Sequence, residues 1–276
     1  MQDSHWLGLQ GRACAVTGAA RGIGRGIAQA LADAGARVAL LDYDAGACEE
    51  TAAALRAQGA DATAFACDTS DPDSVARAAT AVHDVLGPCA GLVNNAGILR
   101  SGALQDVELQ EWNRVLDVNL TGYLLTARTF AARMRDGGGG SIVHIASISG
   151  SFPQTRSGAY SASKAGVMLM SRQMAVEWGA DGIRSNTVCP GMIRTHLSAA
   201  FYAEPGNEQK RAAMTASRRV GETDDIANAA LFLLSPRSSY INAADLAVNG
   251  GMDAMLMDMV PRPGFNHTAA PDTTRQ

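Results

Sequence analysis

The chain has 276 residues, 47% of them hydrophobic, a length that suits one large α/β domain and leaves little room for a separate substrate domain. A formal net charge of −4 and the lack of any lysine- or arginine-rich cluster provide no basic field for a polyanion, so nucleic-acid binding is not expected. The first residues lack an apolar signal region, and no stretch approaches the roughly 20 apolar residues of a membrane span. We therefore expect a soluble, cytoplasmic protein with no membrane partner.

Cysteine usage agrees with a reducing compartment. The five cysteines are odd in number, scattered and never arranged as C-x-x-C, which suits reduced thiols and supports no metal site. Free cysteine packs as a small hydrophobe, so we expect these side chains to be buried. They are Cys14, Cys48, Cys67, Cys89 and Cys189.

Short β-branched runs alternate with alanine-rich helical stretches along the chain. This alternation predicts successive βαβ units, and continuously apolar runs predict a parallel sheet covered by helices on both faces. We expect a single-domain, doubly wound (Rossmann) α/β fold over residues 1–251. The predicted strands are Ala13–Thr17, Val38–Asp42, Ala64–Cys67, Leu92–Asn94, Ile142–Ala146 and Ser185–Val188.

The first predicted strand leads directly into the glycine-rich turn Thr17–Gly24, inside which a helix begins. Its glycines permit positive φ and close backbone approach, and the helix N-terminus favours a negatively charged pyrophosphate. The helix has Ile23, Ile27 and Leu31 four residues apart and should stop at Gly35. A glycine turn can be merely a tight turn, but its position between strand and helix favours a dinucleotide site.

The second predicted strand ends at Asp42, where a carboxylate can accept hydrogen bonds from both adenosine ribose hydroxyls. A 2′-phosphate would meet a like charge there, at a cost of about 1 to 4 kcal/mol. Arg21 could instead reach such a phosphate, although it is as easily a solvated surface residue. Because Asp42 carries more weight, the sequence favours NAD over NADP.

Asn119 falls inside a predicted helix over residues 112–124 that is otherwise rich in apolar residues. A buried amide needs hydrogen-bond partners. The residue can be an ordinary satisfied core asparagine or part of a functional site, and its neighbours in sequence leave both interpretations open.

Tyr160 and Lys164 lie four residues apart at the start of a predicted helix, so their side chains share one helical face. A phenol has an unperturbed pKa of about 10, and a nearby ammonium favours the phenolate and brings it into the range of a general base. Ser147 follows the fifth predicted strand, at the edge where doubly wound folds bind ligands, and can hydrogen-bond a reacting oxygen. Each feature alone is common; their combination predicts a catalytic site.

Two segments interrupt the strand–helix alternation. Residues 192–223, here called the lid segment, are longer than an ordinary connection and are predicted to form a mobile lid. Residues 252–276 form a methionine-rich tail whose end we expect to be disordered. Side chains from the lid segment and from the stretch after Ser147 should contact substrate, although a lone loop histidine is more often solvated. The candidates are Ser149, Gln154, Met192, His196 and Leu197.

Taken in order, these motifs resemble the short-chain dehydrogenase/reductase family over residues 9–251. The resemblance implies that Tyr160 is the catalytic acid/base and that Ser147 orients the substrate oxygen. It also implies that Lys164 holds the nicotinamide ribose and lowers the tyrosine pKa, while Asn119 positions a proton-relay water. The matching motifs are Thr17–Gly24, Asp68, Asn94–Gly97, Asn119, Ser147, Tyr160 with Lys164, and Pro190–Gly191 ending with Thr195.

The same resemblance implies a dinucleotide bound along the carboxyl edge of the sheet. Asp68 would meet the adenine, residues 95–97 would line the ribose side, and residues 190–195 would hold the carboxamide. The expected cofactor contacts are Gly18, Arg21, Gly22, Ile23, Gly24, Asp42, Tyr43, Cys67, Asp68, Thr69, Asn95, Ala96, Gly97, Tyr160, Lys164, Pro190, Gly191, Ile193 and Thr195.

The expected function is NAD-dependent interconversion of a secondary alcohol and its ketone, with a polyol, sugar or cyclic alcohol as substrate. Two alternatives remain, an NADPH-dependent reductase of 3-oxoacyl thioesters and a catalytically silent NAD-binding regulator on the same fold. The carboxylate of Asp42 disfavours the first, and the intact catalytic set disfavours the second.

The resemblance also implies a homotetramer. The tail over residues 252–265 is apolar enough to pack on a neighbouring subunit and to close one wall of a substrate pocket there, and it can equally fold onto its own subunit. The helix that starts at Tyr160 offers a second face for assembly. That face comprises Ala165, Met168, Ser171, Arg172 and Ala175.

Overall fold

A computed structural model describes residues 4–196 and 198–261. Within them, seven strands form one parallel sheet in the order β3-β2-β1-β4-β5-β6-β7. This order confirms the predicted doubly wound fold. The strands are β1 Ala13–Thr17, β2 Arg37–Asp42, β3 Ala62–Ala66, β4 Gly91–Asn94, β5 Gly140–Ile145, β6 Ile183–Pro190 and β7 Asp245–Val248.

Helices cover both faces of the sheet and bury two apolar layers. One layer includes Ile27, Leu31 and Leu233, and the other includes Val82 and Phe130. The helices are α1 Gly22–Asp33, α2 Ala45–Ala57, α3 Pro72–Leu86, α4 Leu109–Leu116, α5 Gly122–Asp136, α6 Tyr160–Trp178, α7 Ala199–Tyr202, α8 Asn207–Ala213 and α9 Thr223–Leu234.

The six predicted strands are present, the first with its predicted bounds and the others with ends shifted by at most two residues, and β7 was missed. Strand β3 ends at Ala66, so Cys67 follows the strand and does not lie in it. Strand β7 is a short edge strand whose Asp245 accepts a hydrogen bond from Thr187 at 2.6 Å and pairs with Arg172. A four-residue edge strand that begins with aspartate has little of the apolar pattern that identifies the others.

The helix expected around Asn119 is present, but it is not α-helical throughout. Helices α4 and α5 are separated by a single π-helical turn over Asp117–Thr121, and Asn119 lies inside it. A π turn inserts an extra residue into the helical repeat, and such turns are frequent at functional sites.

The two ends of the lid segment are joined by hydrogen bonds. Ile193 and Gly221 form an isolated β-bridge, with a 2.8 Å hydrogen bond from the Arg194 amide to the Gly221 carbonyl. Helices α7 and α8 lie between these two ends. After Gly251, a 3-10 helix spans Met252–Met257; the rest of the predicted tail from residue 262 lies outside the described residues.

All five cysteines are free and buried, as predicted. Burial raises the pKa of Cys14 and of Cys89 to about 12, so these thiols stay protonated and unreactive. In the described part of the chain, no helix has both the length and the apolar character needed to cross a bilayer. Nor do three or more metal-binding side chains gather anywhere in those residues.

Candidate active site

One cleft of about 1320 Å³ opens at the carboxyl edge of the sheet, where the strand order reverses between β1 and β4. Ligands of doubly wound folds bind at such switch points. The cleft collects side chains that are far apart in sequence. From the predicted cofactor set it includes Gly18, Arg21, Gly22, Ile23, Asp42, Tyr43, Cys67, Asp68, Thr69, Asn95, Ala96, Gly97, Tyr160, Lys164, Pro190, Gly191, Ile193 and Thr195.

The glycine-rich turn has the conformation that its sequence requires. Gly18 has φ of +64° and Gly22 has φ of +57°, in the left-handed region that favours glycine. A Cβ at Gly24 would lie 2.2 Å from the Gly18 carbonyl oxygen and 2.5 Å from Asn95 Nδ2. Gly24 therefore lies behind the cleft wall, where it lets helix α1 pack closely against the turn.

Thr17 and Asn95 hold the turn against the next strand end. The Thr17 hydroxyl accepts hydrogen bonds from the amides of Asn95 at 2.9 Å and Ala96 at 3.1 Å. Asn95 Nδ2 donates to the carbonyls of Thr17 at 3.0 Å and Gly18 at 3.1 Å. The Asn95 side chain thus braces the phosphate-binding turn itself, a role that sequence reasoning did not assign.

Asp42 lies at the end of β2 and lines the cleft. Its two carboxylate oxygens accept hydrogen bonds from the amides of Ala20 at 2.9 Å and Asp44 at 3.0 Å. Arg21 makes an exposed ion pair with Asp44 at 3.0 Å. Two carboxylates and a neutralised arginine therefore surround this end of the cleft. The positive-φ turn and these hydrogen-bond acceptors fit a dinucleotide.

Ser147 and Tyr160 face each other across the other end of the cleft. Ser147 caps the short 3-10 helix after β5, and its hydroxyl oxygen accepts from the Ser149 amide at 3.1 Å. Burial raises the pKa of Tyr160, and a hydrogen bond with Ser147 acts in the opposite direction. The serine hydroxyl is thus placed to stabilise the phenolate form.

Lys164 is buried one turn further along α6. Its Nζ donates to the Ile145 carbonyl at 2.8 Å and to the Tyr123 hydroxyl at 3.2 Å, and lies 5.7 Å from the centre of the Tyr160 ring. Burial lowers the pKa of Lys164 to about 7, although Cys189 opposes the shift. Its ammonium is therefore easily deprotonated, and the predicted effect of Lys164 on the tyrosine pKa stays a prediction.

Asn119 is fully buried and lies behind the cleft wall. Its amide group makes a two-way contact with Ile98, donating to the carbonyl at 2.9 Å and accepting from the amide at 2.8 Å. Its Nδ2 also donates to Ser163 at 3.2 Å. The side chain is therefore satisfied by the fold, and it fixes the main chain that follows Gly97.

Beneath Lys164 lies a buried polar group that sequence reasoning missed. The Tyr123 ring stacks on His144 with 5.8 Å between ring centres. His144 contacts Asn94 and Ser185, each at 3.2 Å, and burial lowers its pKa to about 3. This histidine is neutral at physiological pH. It therefore adds no second charge beside Lys164.

The predicted substrate residues Ser149, Gln154, Met192 and His196 all line the cleft, and Leu197 lies outside the described residues. Ser149 donates to Gln154 at 3.2 Å. Sequence reasoning missed further lining side chains, which reach the cleft from distant segments and have no local motif. They include Phe152, Phe201, Arg211 and Met214, whereas Met252, which also lines the cleft, begins the tail that was expected to close a wall of the substrate pocket.

The chain is similar to known proteins along most of its length. A family model described as enoyl-(acyl carrier protein) reductase matches residues 18–253. The D-threitol dehydrogenase of Mycolicibacterium smegmatis is 40% identical to this chain over 88% of it and 93% of the relative. The cis-4-hydroxycyclohexanecarboxylate dehydrogenase of Sinomonas cyclohexanicum is 39% identical over 88% and 97%. A short-chain type dehydrogenase/reductase from Mycobacterium ulcerans superposes with a TM-score of 0.85 at 33% identity, over 91% of this chain and 96% of that structure.

Proposed function

Because this chain belongs to the short-chain dehydrogenase/reductase family, an oxidoreductase family acting on alcohols, we propose that it is an NAD-dependent dehydrogenase of a secondary alcohol. The observation that supports this most directly is the meeting of Ser147, Tyr160 and Lys164 in the cleft that also contains Asp42. One end of that cleft suits a dinucleotide, and the other suits proton transfer to a small substrate.

NAD is favoured over NADP by the charges at the adenosine end. The carboxylate of Asp42 would accept bonds from ribose hydroxyls, and it would repel a 2′-phosphate. Arg21 pairs with Asp44, whose carboxylate offsets the positive charge that would attract such a phosphate. The turn at Gly18 and Gly22 would hold the pyrophosphate through its amides.

In the oxidation direction, Tyr160 takes the proton of the alcohol while Ser147 holds the oxygen by a hydrogen bond. The nicotinamide, when bound, supplies the hydride acceptor, or the donor in the reverse direction. The proton leaves Tyr160 through Lys164 and a water beside Asn119. The packing at Gly97 supports this route. A Cβ built on Gly97 would lie 3.3 Å from Asn119 Oδ1 and 3.7 Å from Lys164 Nζ, so these two atoms lie on either side of one small space.

The substrate class that we propose is a polyol, sugar or cyclic alcohol. The two relatives described above are dehydrogenases named for a four-carbon polyol and for a hydroxycyclohexanecarboxylate. The cleft combines polar groups, Ser149 and Gln154, with apolar ones such as Phe152. This mixture fits hydroxylated carbon skeletons.

A reductase of 3-oxoacyl thioesters is the second candidate, and the only support for it is that the matching family model is named for a reductase of another acyl thioester, an enoyl one. The carboxylates of Asp42 and Asp44 oppose its usual cofactor, NADPH. A silent NAD-binding regulator is disfavoured because Ser147, Tyr160 and Lys164 are all in place.

For the cellular setting, we propose a cytoplasmic homotetramer. Helix α6 supports this with an exposed stripe at helical spacing, formed by Ala165, Leu169, Arg172 and Val176. Leu169 is 66% exposed and Val176 is 81% exposed, a large apolar area for a free surface. The face predicted from sequence was wrong in part, because Ser171 and Ala175 are buried in their own subunit.

A screen of secondary alcohols, polyols and cyclic diols with NAD and with NADP tests the proposed function through the absorbance of the reduced nicotinamide. We expect turnover with NAD on at least one class of alcohol. Turnover confined to 3-oxoacyl thioesters with NADPH would favour the second candidate. Nucleotide binding without turnover on any substrate would favour the regulator.

A further inference from the structure

The lid segment contains four arginines, and one of them differs from the rest. Three are neutralised by carboxylates. Arg211 on α8 lines the cleft and has no carboxylate partner among residues 4–196 and 198–261. The paired ones are Arg194 with Glu208 and Glu222, Arg218 with Asp258, and Arg219 with Asp225.

The guanidinium of Arg211 is held by aromatic rings. It lies 5.2 Å from the ring centre of Phe201 and 5.1 Å from that of Tyr202. Its Nε is buried and has no hydrogen-bond partner in the described part of the chain, and the same is true of the Tyr202 hydroxyl. A buried donor is costly when it is unpaired, whereas stacking keeps the guanidinium oriented. These features indicate a charged group prepared for a ligand.

The surroundings of Arg211 define the chemistry of that ligand. A guanidinium is planar, always charged and matches the two oxygens of a carboxylate. Phe201, Met214 and Met252 line the same cleft and offer apolar surface. Resting on the dehydrogenase function proposed above, we propose that Arg211 binds a carboxylate of the substrate. The substrate is then a secondary alcohol that carries a carboxylate on a compact hydrocarbon skeleton.

The cofactor pyrophosphate is another source of paired anionic oxygens, but it has a different place in the cleft. It belongs at the glycine turn, where the lid residue in contact is Thr195: a Cβ on Gly22 would lie 3.6 Å from Thr195 Cβ. Arg211 lies sixteen residues further along the lid segment, with its guanidinium over the rings of Phe201 and Tyr202. The experiment separates the two sources by measuring nucleotide affinity as well.

The test compares charged and neutral forms of the same alcohols. The probes are 4-hydroxycyclohexanecarboxylate and 3-hydroxybutyrate, each beside its primary amide, with NAD as cofactor. Arg211→Gln removes the charge; Lys210→Gln removes an equal charge one residue earlier on α8, from an exposed side chain outside the cleft.

We expect the wild type to prefer at least one carboxylate over its amide. Arg211→Gln should lose about 10- to 100-fold in kcat/KM for that carboxylate, mainly through KM. The kcat/KM of Arg211→Gln for the amide should change little. The kcat/KM of Lys210→Gln should change little for either form of the substrate.

A binding measurement makes the result independent of turnover. Cyclohexanecarboxylate and cyclohexanecarboxamide are titrated calorimetrically into each variant, with and without NADH. If Arg211→Gln weakens the affinity for the carboxylate and leaves the affinity for the amide unchanged, the proposal holds. If no alcohol is oxidised by the same protein, only the proposed dehydrogenase function fails. Three outcomes overturn it: no preference for the carboxylate in wild type, equal loss of carboxylate and amide, or weaker NAD affinity with an unchanged charge preference.

Discussion

Proton transfer at Tyr160 depends on two neighbours that act in different ways. Ser147 lowers the pKa of the phenol directly, against the effect of burial. Lys164 is itself so buried that its pKa falls to about 7. The protonation state of this site should therefore change within the physiological pH range, and it should respond to small changes in hydrogen bonding.

Replacing the phenol tests its role as the acid/base. Tyr160→Phe should lose at least about 100-fold in kcat, because general acid/base catalysis contributes at least that much. NAD affinity should persist, since the glycine turn is untouched. Steady-state kinetics and a nucleotide titration measure the two quantities. Retained turnover with an unchanged pH profile would contradict the role.

Removing the serine hydroxyl should shift the pH profile. Ser147→Ala deletes the bond that lowers the pKa of Tyr160, so that pKa rises and the phenolate forms only at higher pH. The acidic limb of kcat/KM for alcohol oxidation should therefore move to higher pH, with lower activity at neutrality. Ser151→Ala, an exposed serine outside the cleft, is the control and should leave the profile in place.

Cofactor choice should depend on the charge at the end of β2. We expect the kcat/KM of the wild type to be well above that for NADP when NAD is the cofactor. Asp42→Asn should narrow the gap, because the like charge facing a 2′-phosphate is removed. Asp44→Asn should narrow it too, because Arg21 is released from its ion pair. Comparing kcat/KM for the two cofactors checks this, with the exposed Asp33→Asn as charge-matched control. Equal values in wild type would refute the assignment.

At the scale of elements, the junction of β1 with α1 depends on close packing. A Cβ on Gly24 meets the Gly18 carbonyl and the Asn95 side chain, and the backbone atoms cannot move aside cheaply. Gly46 offers a helical position with more room for the same change. At Gly46 in α2, a Cβ meets only Asp44 Oδ1 at 3.7 Å, which is ordinary contact.

Gly24→Ala should therefore lower stability by about 1 to 3 kcal/mol, a typical cost of overpacking. Gly46→Ala should be neutral or stabilising by up to about 1 kcal/mol, because alanine favours the helix. Chemical denaturation of both variants measures the difference. Similar stabilities for the two would show that the turn is looser than its contacts indicate.

At the scale of the whole molecule, the tail connects the substrate end of the cleft with the surface. Met252 lines the cleft, whereas Leu256 is 71% exposed and Met259 is 67% exposed. Arg218 of the lid segment pairs with Asp258 at 3.5 Å. The start of the tail thus touches the site, and its apolar continuation is available to another subunit.

Truncation after Gly251 should raise the KM for substrate, because one wall residue of the cleft is lost. It should also lower the stability of the proposed tetramer and leave NAD affinity nearly unchanged. Sedimentation and steady-state kinetics test both effects. An unaltered tetramer with an unaltered KM would show that the tail has neither role.

The sequence by itself determined the features that local geometry controls. A strand that leads into Thr17–Gly24 can only form a tight, glycine-dependent turn before a helix. Tyr160 and Lys164 share a face because helical spacing puts them there. Continuous apolar runs identify buried parallel strands, since both faces of such a sheet are covered.

Only the tertiary structure decided what depends on contacts between distant segments. The edge strand β7 exists because β6 pairs with it, and the π turn at Asn119 has no local signature. Arg211 and Met252 reach the cleft through the fold of the lid segment and the tail. The pKa of Lys164 falls because the surrounding chain removes it from water. Burial and long-range packing are properties of the folded chain, so a linear pattern of residues does not contain them.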